Sequence, residues 1–193
     1  KVGDGPEEKI TGMVHFQFEK VLKAAHVVSV LLTGPAGTGK SKIMEQVAEG
    51  LGVPFGELSL DPSMDATALK GYMDAMGNYV ATEFRRIYDA DGDGGFWNMD
   101  EIDAGHPGIL KAQNAALSAG WYSFPDGRVQ RHENFRFGAT ANTWGNGASR
   151  SYVGGVKQDA SVLDRYTAKF AIDYDRKMET TLAEAVAGQR GAD

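Results

Sequence analysis

The stretch that most constrains the fold is residues 33–41, Thr-Gly-Pro-Ala-Gly-Thr-Gly-Lys-Ser. It satisfies the pattern G-x-x-x-x-G-K-S/T at every fixed position. The apolar run 27–32 precedes it, and Ile43, Val47 and Leu51 follow at helical spacing, so a predicted buried strand and a predicted helix flank the motif. This context favours a phosphate-binding loop over the alternative, a glycine-rich turn that binds nothing.

Each residue type in this loop has a physical role in binding phosphate. Glycines leave room for phosphate oxygens and allow consecutive backbone N–H groups to turn inward, and the following helix adds partial positive charge at its N-terminus. A lysine can contact the β and γ phosphates of ATP, and a serine hydroxyl can bind Mg²⁺. The predicted binding residues are Gly34, Pro35, Ala36, Gly37, Thr38, Gly39, Lys40 and Ser41.

Composition sets the class of protein. With 193 residues, 42% of them hydrophobic, the chain can bury one substantial core, so one domain is expected. The sequence has no cysteine, no signal peptide and no apolar run of membrane-spanning length, which predicts a soluble cytoplasmic protein without membrane contact. The net charge of −6 argues against nucleic-acid binding by the whole surface, but it does not exclude a local basic loop.

A second chemical centre follows the apolar segment 95–99, where Asp100 and Glu101 come next. A buried strand that ends in Asp-Glu is the expected partner of a phosphate loop. The first carboxylate reaches Mg²⁺, usually through water, and the second polarises or orients an attacking water. Asn98 is an unusual polar residue inside such a strand, and we expect it to hydrogen-bond to a neighbour. Together with the phosphate loop, this segment predicts ATP hydrolysis rather than nucleotide binding alone.

Several other features have less specific interpretations. Residues 63–88 show an interrupted helical stripe that predicts one or two helices, with their methionines filling the core. Residues 89–94 imitate the start of an EF-hand calcium loop. The twelfth loop position would be Asp100 instead of a bidentate glutamate, so a solvated acidic turn is favoured. His15 and His26 lack a spaced ligand partner and are interpreted as structural.

Beyond Asp100, the resemblance to a known family becomes specific. The segments that carry it are 100–107, a predicted helix at 107–119, and 135–145, which reads Phe-Arg-Phe-Gly-Ala-Thr-Ala-Asn-Thr-Trp-Gly. They resemble an AAA+ ATPase, and within that superfamily the branch that includes MoxR, dynein-related and CobS-type cobalt chelatase ATPases. The similarity extends from about residue 15 to residue 175. It implies that ATP and Mg²⁺ are bound by a subunit of a homo-oligomeric, hexameric ring that acts on a protein partner or adaptor.

The resemblance also implies roles for individual residues. Asn142 matches the polar sensor that helps to place the attacking water, although it could simply cap a strand end. Arg165 matches the arginine finger that is inserted into a neighbouring subunit's nucleotide site, although it could form a salt bridge with Asp164 or Asp173. Segment 121–132 resembles the hairpin that this branch inserts before the sensor strand. Its basic residues could contact a substrate in a central pore, but a solvated hairpin is the more common case; they are Arg128, Arg131 and His132.

We therefore predict a three-layer α/β fold with a mainly parallel five-stranded sheet. The expected units are a flexible lead-in at 1–13, an ATPase core at 14–175, and the start of a lid helix or a tail at 176–193. Few residues follow the core, so the helical lid of the family is expected to be largely absent. A flexible loop is expected at 145–155.

Three functions are compatible with this sequence. The first is an ATPase that remodels a protein partner or drives CobS-like metal insertion, with Asp100 and Ser41 at Mg²⁺ and with Glu101, Asn142 and Arg165 as catalytic residues. The second is a helicase-like nucleic-acid motor. The third is an assembly module that binds ATP with little turnover.

Overall fold

The computed structural model describes residues 10–89, 91–143 and 160–190. The strands are β1 Val30–Thr33, β2 Phe55–Ser59, β3 Tyr72–Met73, β4 Tyr79–Val80, β5 Phe96–Asp100, β6 Trp121–Phe124, β7 Gly127–Gln130, β8 Arg136–Ala141 and β9 Ala168–Ala171. The helices are α1 Phe18–Ala25, α2 Lys40–Leu51, α3 Thr67–Lys70, α4 Glu83–Tyr88, α5 Pro107–Ser118, α6 Ala160–Leu163 and α7 Arg176–Arg190.

Five of these strands form one sheet in the order β2-β5-β8-β1-β9. All four pairings are parallel, so the carboxyl ends of the five strands lie along one edge. β1 lies between β8 and β9, and its register aligns Thr33 with Ala141 on one side and with Ala171 on the other. The loop that follows Thr33 therefore begins at the centre of that edge, next to the end of β8. This arrangement confirms the predicted fold class.

Successive side chains of each strand point to opposite faces of the sheet, so the hydrophobic core forms two layers, one on each face. In β1, Val30 and Leu32 pack with α1 and α2, whereas Leu31 packs on the opposite face with α4 and α5. Helix α2 contributes Ile43, Met44 and Val47 to the first layer; Ile43 and Val47 belong to the helical spacing that predicted it. The chain is thus a three-layer α/β domain, as its sequence pattern predicts.

An aromatic cluster fixes the β6–β7 hairpin against the main sheet. Tyr122 and Phe124 of β6 pack on Phe84 of α4, with ring centroids 6.0–6.2 Å apart. Phe84 also contacts Trp97 of β5 edge-on at 5.2 Å. Alternate residues of β6 are buried, so the hairpin uses one face for the core and leaves Trp121 on the other face, partly exposed. The turn at residues 125–126 joins the two arms where the sequence predicts it.

Residues 63–88 differ from the prediction in one respect. They form the short helices α3 and α4, but a small antiparallel hairpin, β3–β4, lies between them. Met73 and Met76 belong to this hairpin and are 45% and 80% exposed, so the prediction that they fill the core is wrong. The hairpin turn is closed by the Asp74 carboxylate, which accepts hydrogen bonds from the backbone N–H groups of Met76 and Asn78 at 2.8 Å.

The acidic turn beyond α4 uses its carboxylates in ion pairs with arginines. Asp89 contacts Arg85 at 2.9 Å, and Asp93 contacts Arg86 at 3.2 Å. Arg85 also reaches Asp126 in the turn of the β6–β7 hairpin at 2.8 Å, and its guanidinium lies 4.7 Å from the centroid of the Phe124 ring. Arg85 therefore links α4, the acidic turn and the hairpin.

The segment before α1 is hydrogen-bonded to α2. The Gln46 side chain of α2 donates hydrogen bonds to the carbonyls of Thr11 and Met13 at 3.1 and 2.9 Å. Residues 11–13 are exposed, and these two bonds tie them to α2. The flexible lead-in at 1–13 stays a prediction. α1 begins at Phe18, and His15 lies in the turn before it, with its Nε2 2.9 Å from the carbonyl oxygen of Asp173. His15 is buried and structural, as expected.

The predicted loop at 145–155 lies outside the described residues. Beyond β9, the predicted helix is present as α7. Among the helices that the structure describes, none combines the length and the apolar character needed to cross a lipid bilayer.

Candidate functional site

The phosphate loop connects β1 to α2 at the carboxyl edge of the sheet. Gly37 and Gly39 have φ near +80°, a conformation that glycine adopts without a steric penalty. Gly34 faces a different constraint, because a Cβ atom there would lie 2.0 Å from the carbonyl oxygen of Ile172. Its N–H donates to the carbonyl of Ala141 at 3.2 Å, which ties the loop to the end of β8. Lys40 begins α2, so the N-terminus of this helix points into the loop.

Lys40 is the buried cation of the site, with only 7% of its surface exposed. Its ammonium donates to the carbonyl oxygens of Gly34 and Pro35 at 2.8 and 2.9 Å, and to Oδ1 of Asn142 at 3.0 Å. Burial lowers the pKa of Lys40, while the negative charges of Asp100, Asp103 and Glu101 act in the opposite direction. All three of its hydrogen-bond partners are neutral oxygens, so nearby carboxylates compensate its charge only at longer range.

Ser41 and Asp100 meet directly below the loop. The Ser41 hydroxyl donates to Oδ1 of Asp100 at 3.0 Å, and the Thr140 hydroxyl donates to the same oxygen. Thr140 is fully buried in β8, and its Oγ1 also accepts a hydrogen bond from the backbone N–H of Glu101 at 3.3 Å. A hydroxyl and a carboxylate side by side are hard oxygen ligands of the kind that Mg²⁺ prefers. The pair therefore fits a magnesium ion bound together with nucleotide phosphates.

Glu101 follows β5 in the left-handed conformation, with φ of 54°, and is the one non-glycine residue with positive φ in the described part of the chain. Strain of this kind costs on the order of 1–2 kcal/mol and often marks functional positions. It turns the exposed Glu101 side chain toward Asn142, whose Nδ2 donates to Oε1 of Glu101 at 3.2 Å. The Asn142 amide thus contacts the Lys40 ammonium through its oxygen and the Glu101 carboxylate through its nitrogen.

These residues surround a cavity of about 240 Å³. Its lining is Ala36, Gly37, Gly39, Lys40, Ser41, Lys42, Asp100, Glu101, Thr140 and Asn142. The structure therefore brings most of the predicted loop residues together with the three predicted polar residues at the strand ends. The prediction missed Lys42 and Thr140. Thr140 lies in β8 two residues before Asn142, which directly follows the strand, so strand alternation could have placed Thr140 on the same side as Asn142.

Two further residues near the loop were also missed. Asp103 is buried and accepts hydrogen bonds from the backbone that follows β8. The Tyr174 hydroxyl donates to the carbonyl of Ala36 at 3.0 Å, which places this side chain against the loop. Neither residue stands at a fixed position of the phosphate-loop pattern. The only sequence signal for Asp103 is that it is a further acidic residue two positions after Glu101.

Arg165 lies at the opposite end of the sheet. It follows α6, and its carbonyl accepts a hydrogen bond from the hydroxyl of Ser29, which precedes β1. The four residues of β1 span about 13 Å between that point and the phosphate loop. Arg165 is exposed, lines a separate cavity of about 640 Å³, and forms no ion pair with Asp164, Asp173 or another described carboxylate. It is therefore not part of its own chain's phosphate-loop cavity.

The predicted basic residues of the hairpin have local partners. The Arg128 guanidinium stacks on the Trp121 ring at 3.5 Å from its centroid. Arg131 points toward the carbonyl of Leu117 at 3.5 Å, and His132 Nδ1 accepts from the backbone N–H of Asn134 at 2.9 Å. Asn98 also has its expected neighbour, since its Nδ2 donates to Oε2 of Glu57 at 2.7 Å.

Comparison with known proteins agrees with this geometry. The family profile described as an AAA domain of the dynein-related subfamily matches residues 29–154, which is more than half of the chain. The chain belongs to this family. It is 32% identical over 179 residues to the aerobic cobaltochelatase subunit CobS of Sinorhizobium sp., an alignment that covers 83% of this chain and 52% of the CobS subunit. The chain thus spans about half the length of that relative.

Solved structures support the same fold. A protein of Cytophaga hutchinsonii described as an ATPase superposes with a TM-score of 0.65 at 16% identity, covering 88% of this chain and 49% of its own. A mutant of RuvB from Thermotoga maritima superposes with a TM-score of 0.60 at 14% identity, covering 91% of this chain and 50% of its own. These likenesses show that the chain shares its fold with both proteins. Members of the AAA family, to which the profile match assigns the chain, typically bind nucleotide and form oligomers.

Proposed function

We propose that this chain is the ATPase core of an oligomeric machine that hydrolyses Mg-ATP. The observation that carries the proposal is the bridge formed by the Asn142 amide, 3.0 Å from Lys40 and 3.2 Å from Glu101, next to the Ser41–Asp100 pair. A phosphate-binding cation, a carboxylate able to orient water, an amide between them and two Mg²⁺ ligands are the groups that phosphoryl transfer to water requires.

Nucleotide binding follows from the charge of the loop. The Lys40 ammonium rests on two neutral carbonyls and one amide oxygen, and phosphate oxygens with full negative charge are stronger acceptors than these. We expect Lys40 to exchange the carbonyls for the β and γ phosphates, while the N-terminus of α2 contributes backbone N–H groups. Ser41 and Asp100 would hold Mg²⁺, which neutralises phosphate charge when bound.

Hydrolysis needs a water molecule held in line with the γ-phosphate. Glu101 is exposed to the cavity and can accept a proton from this water or orient it through a hydrogen bond. Asn142 lies between Glu101 and Lys40, so its amide can contact both the water and the γ-phosphate. Glu101 thus acts as the base or water-orienting residue, and Asn142 as the sensor.

Arg165 would complete the site of a neighbouring subunit. Because it lies about one strand length from its own phosphate loop, it would stabilise transition-state charge only on a nucleotide held by another copy. This geometry favours a ring with a trans arginine finger. By its similarity to CobS, we infer that the ring remodels a protein partner or drives metal insertion within a multisubunit chelatase-type complex.

Hydrolysis is tested by phosphate release and nucleotide binding in parallel. We expect Lys40→Ala to abolish ATP binding, and Glu101→Gln to bind Mg-ATP with unchanged affinity while the turnover rate falls by about 10²–10⁴-fold. Glu45→Gln is the matched control, since Glu45 is an exposed carboxylate on α2 paired with Lys42. A wild-type chain that binds ATP without turnover, or a Glu101→Gln variant with full activity, would contradict the proposal.

A further inference from the structure

Asp103 is a buried carboxylate for which the proposed function has no role. It is 3% exposed and does not line the phosphate-loop cavity. Its two oxygens each accept from the backbone N–H of Asn142 at 3.2 Å, and Oδ2 also accepts from the backbone N–H and the hydroxyl of Thr143 at 3.0 Å. All these donors belong to the two residues that follow β8. A buried carboxylate with this set of partners fixes the chain where it leaves the sheet.

These bonds connect Glu101 to Asn142 by a second route. Asp103 lies in the turn that starts at Glu101, which is closed by a hydrogen bond from the N–H of Ala104 to the carbonyl of Glu101 at 2.8 Å. The N–H of Ile102 donates to the carbonyl of Thr140 at 3.0 Å and so joins this turn to β8. The Asn142 side chain then returns to Glu101 at 3.2 Å. Backbone and side chain of Asn142 are therefore both held by the same five-residue turn.

We infer that Asp103 is a positioning residue for ATP hydrolysis, which sets the Asn142 amide between Lys40 and Glu101 by holding the backbone of Asn142 and Thr143. The inference rests on the proposed function, because it assigns to Asp103 the placement of the proposed sensor. In this arrangement the turn that follows β5 carries both the water-orienting carboxylate of Glu101 and the carboxylate of Asp103 that holds the proposed sensor, Asn142. The two groups thus keep their relative position as one unit.

A carboxylate suits this position better than its amide isostere. The three groups that face Asp103 are all donors, and a carboxylate offers only acceptors. An asparagine would present at least one N–H to these donors and lose part of the set, although its size is nearly the same. The negative charge of Asp103 also counteracts the lowering of the Lys40 pKa by burial. Asp103→Asn therefore removes the anchor with little change in volume.

The decisive experiment is a double-mutant cycle on the ATPase rate. We expect Asp103→Asn to lower kcat by about 10–100-fold, since a displacement near 1 Å can cost this much, while the KM for Mg-ATP changes by less than about threefold. In the Asn142→Ala background the same substitution should lower kcat by less than about twofold. Full activity of Asp103→Asn, an increase in KM that accounts for the loss, or independent multiplication of the two effects would overturn the inference.

A control separates positioning from simple loss of stability. Gln113 is also a buried polar residue. It belongs to α5, donates a hydrogen bond to the Tyr166 hydroxyl, and does not line the phosphate-loop cavity. Gln113→Leu should lower the melting temperature without changing kcat. Thr143→Val removes one hydroxyl bond from Asp103, and we expect it to reduce kcat less than Asp103→Asn does.

Amide hydrogen exchange tests the inference without turnover. In Asp103→Asn, the amides of Asn142 and Thr143 should exchange at least about tenfold faster, with the amide of Ala139 in β8 unchanged. Equal acceleration of all three amides, or no acceleration, would overturn the inference. A wild-type chain with no hydrolysis would instead contradict the proposed function, so the two failures are distinguishable.

Discussion

Gly34→Ala tests how the phosphate loop is held at the edge of the sheet. The added methyl carbon would lie 2.0 Å from the carbonyl oxygen of Ile172, whereas ordinary contact begins at 3.4 Å. The backbone at Gly34 or the backbone at Ile172 must therefore move by 3.4 − 2.0 = 1.4 Å. Both backbone segments are held by hydrogen bonds. The N–H of Ile172 donates to the carbonyl of Thr33 at 2.7 Å, and the N–H of Gly34 donates to Ala141 at 3.2 Å.

The magnitude follows from overpacking of a well-packed site, which costs about 1–3 kcal/mol and occasionally more. Because two backbone hydrogen bonds are involved, we expect a loss near the upper end, about 3 kcal/mol of unfolding free energy. For a domain of this size that corresponds to a melting temperature lower by about 6–12 °C. Gly34 also accepts from Lys40 at 2.8 Å, so the shift should weaken ATP binding by at least about tenfold.

Thermal unfolding and equilibrium binding of a fluorescent ATP analogue measure the two effects. Gly120→Ala is the matched control, because no atom lies within 4 Å of a Cβ at that position, and it should change the melting temperature by less than about 2 °C. If Gly34→Ala melts within 2 °C of the wild type and binds ATP equally well, the close approach between the loop and the end of β9 does not exist in the protein.

Three further predictions concern other parts of the domain. Arg85→Ala should lower the unfolding free energy in urea by about 1–3 kcal/mol, since it breaks partly buried pairs with Asp89 and Asp126, whereas Arg86→Ala, with exposed partners, should cost less than about 0.5 kcal/mol. Burial raises the pKa of Glu57, so its stabilising contribution is complete below the unfolded pKa near 4.5 and is lost as pH rises through the folded pKa. Glu57→Gln should therefore be more stable than the wild type at pH 7, and the difference should vanish at pH 4; no gain at pH 7 would show that Glu57 is not desolvated. Adding single- or double-stranded DNA should change the ATPase rate by less than about twofold relative to the rate without DNA, because the net charge of −6 disfavours DNA binding. Strong, salt-sensitive stimulation of the ATPase rate by DNA would favour the nucleic-acid motor.

The sequence predicted the elements whose signals are local. The phosphate loop has a fixed spacing of glycines, lysine and serine, and the apolar run before Asp100 marks a buried strand. Because parallel strands end at one edge of the sheet, Asp100, Glu101 and Asn142 could be expected near Lys40 once each strand was identified. Helix α2 was also predictable, since Ile43, Val47 and Leu51 recur at helical spacing, and α5 matches the helix that the family resemblance gave at 107–119.

The parts that were missed depend on contacts between distant residues or on elements too short for periodicity. Asp103 and Asn142 are 39 positions apart, and only the folded sheet brings them together. The strands of the β3–β4 hairpin have two residues each, which is too short for an alternation of apolar and polar residues to be recognised. The apolar residues of this segment instead fell at spacings that resemble one face of a helix. The exposure of Met73 and Met76 results from this short hairpin. The left-handed conformation of Glu101 likewise follows from the turn that carries Asp103.

The central claim is hydrolysis across a subunit interface, and ATPase rate against protein concentration tests it most directly. The samples are the wild type, Glu101→Gln, Arg165→Ala and an equimolar mixture of the two variants. We predict a rate per subunit that rises with concentration and is lost in each variant. In the mixture, about one quarter of the interfaces should regain both an intact Glu101 and an intact neighbouring Arg165. A rate that is independent of concentration and survives Arg165→Ala would contradict the ring mechanism.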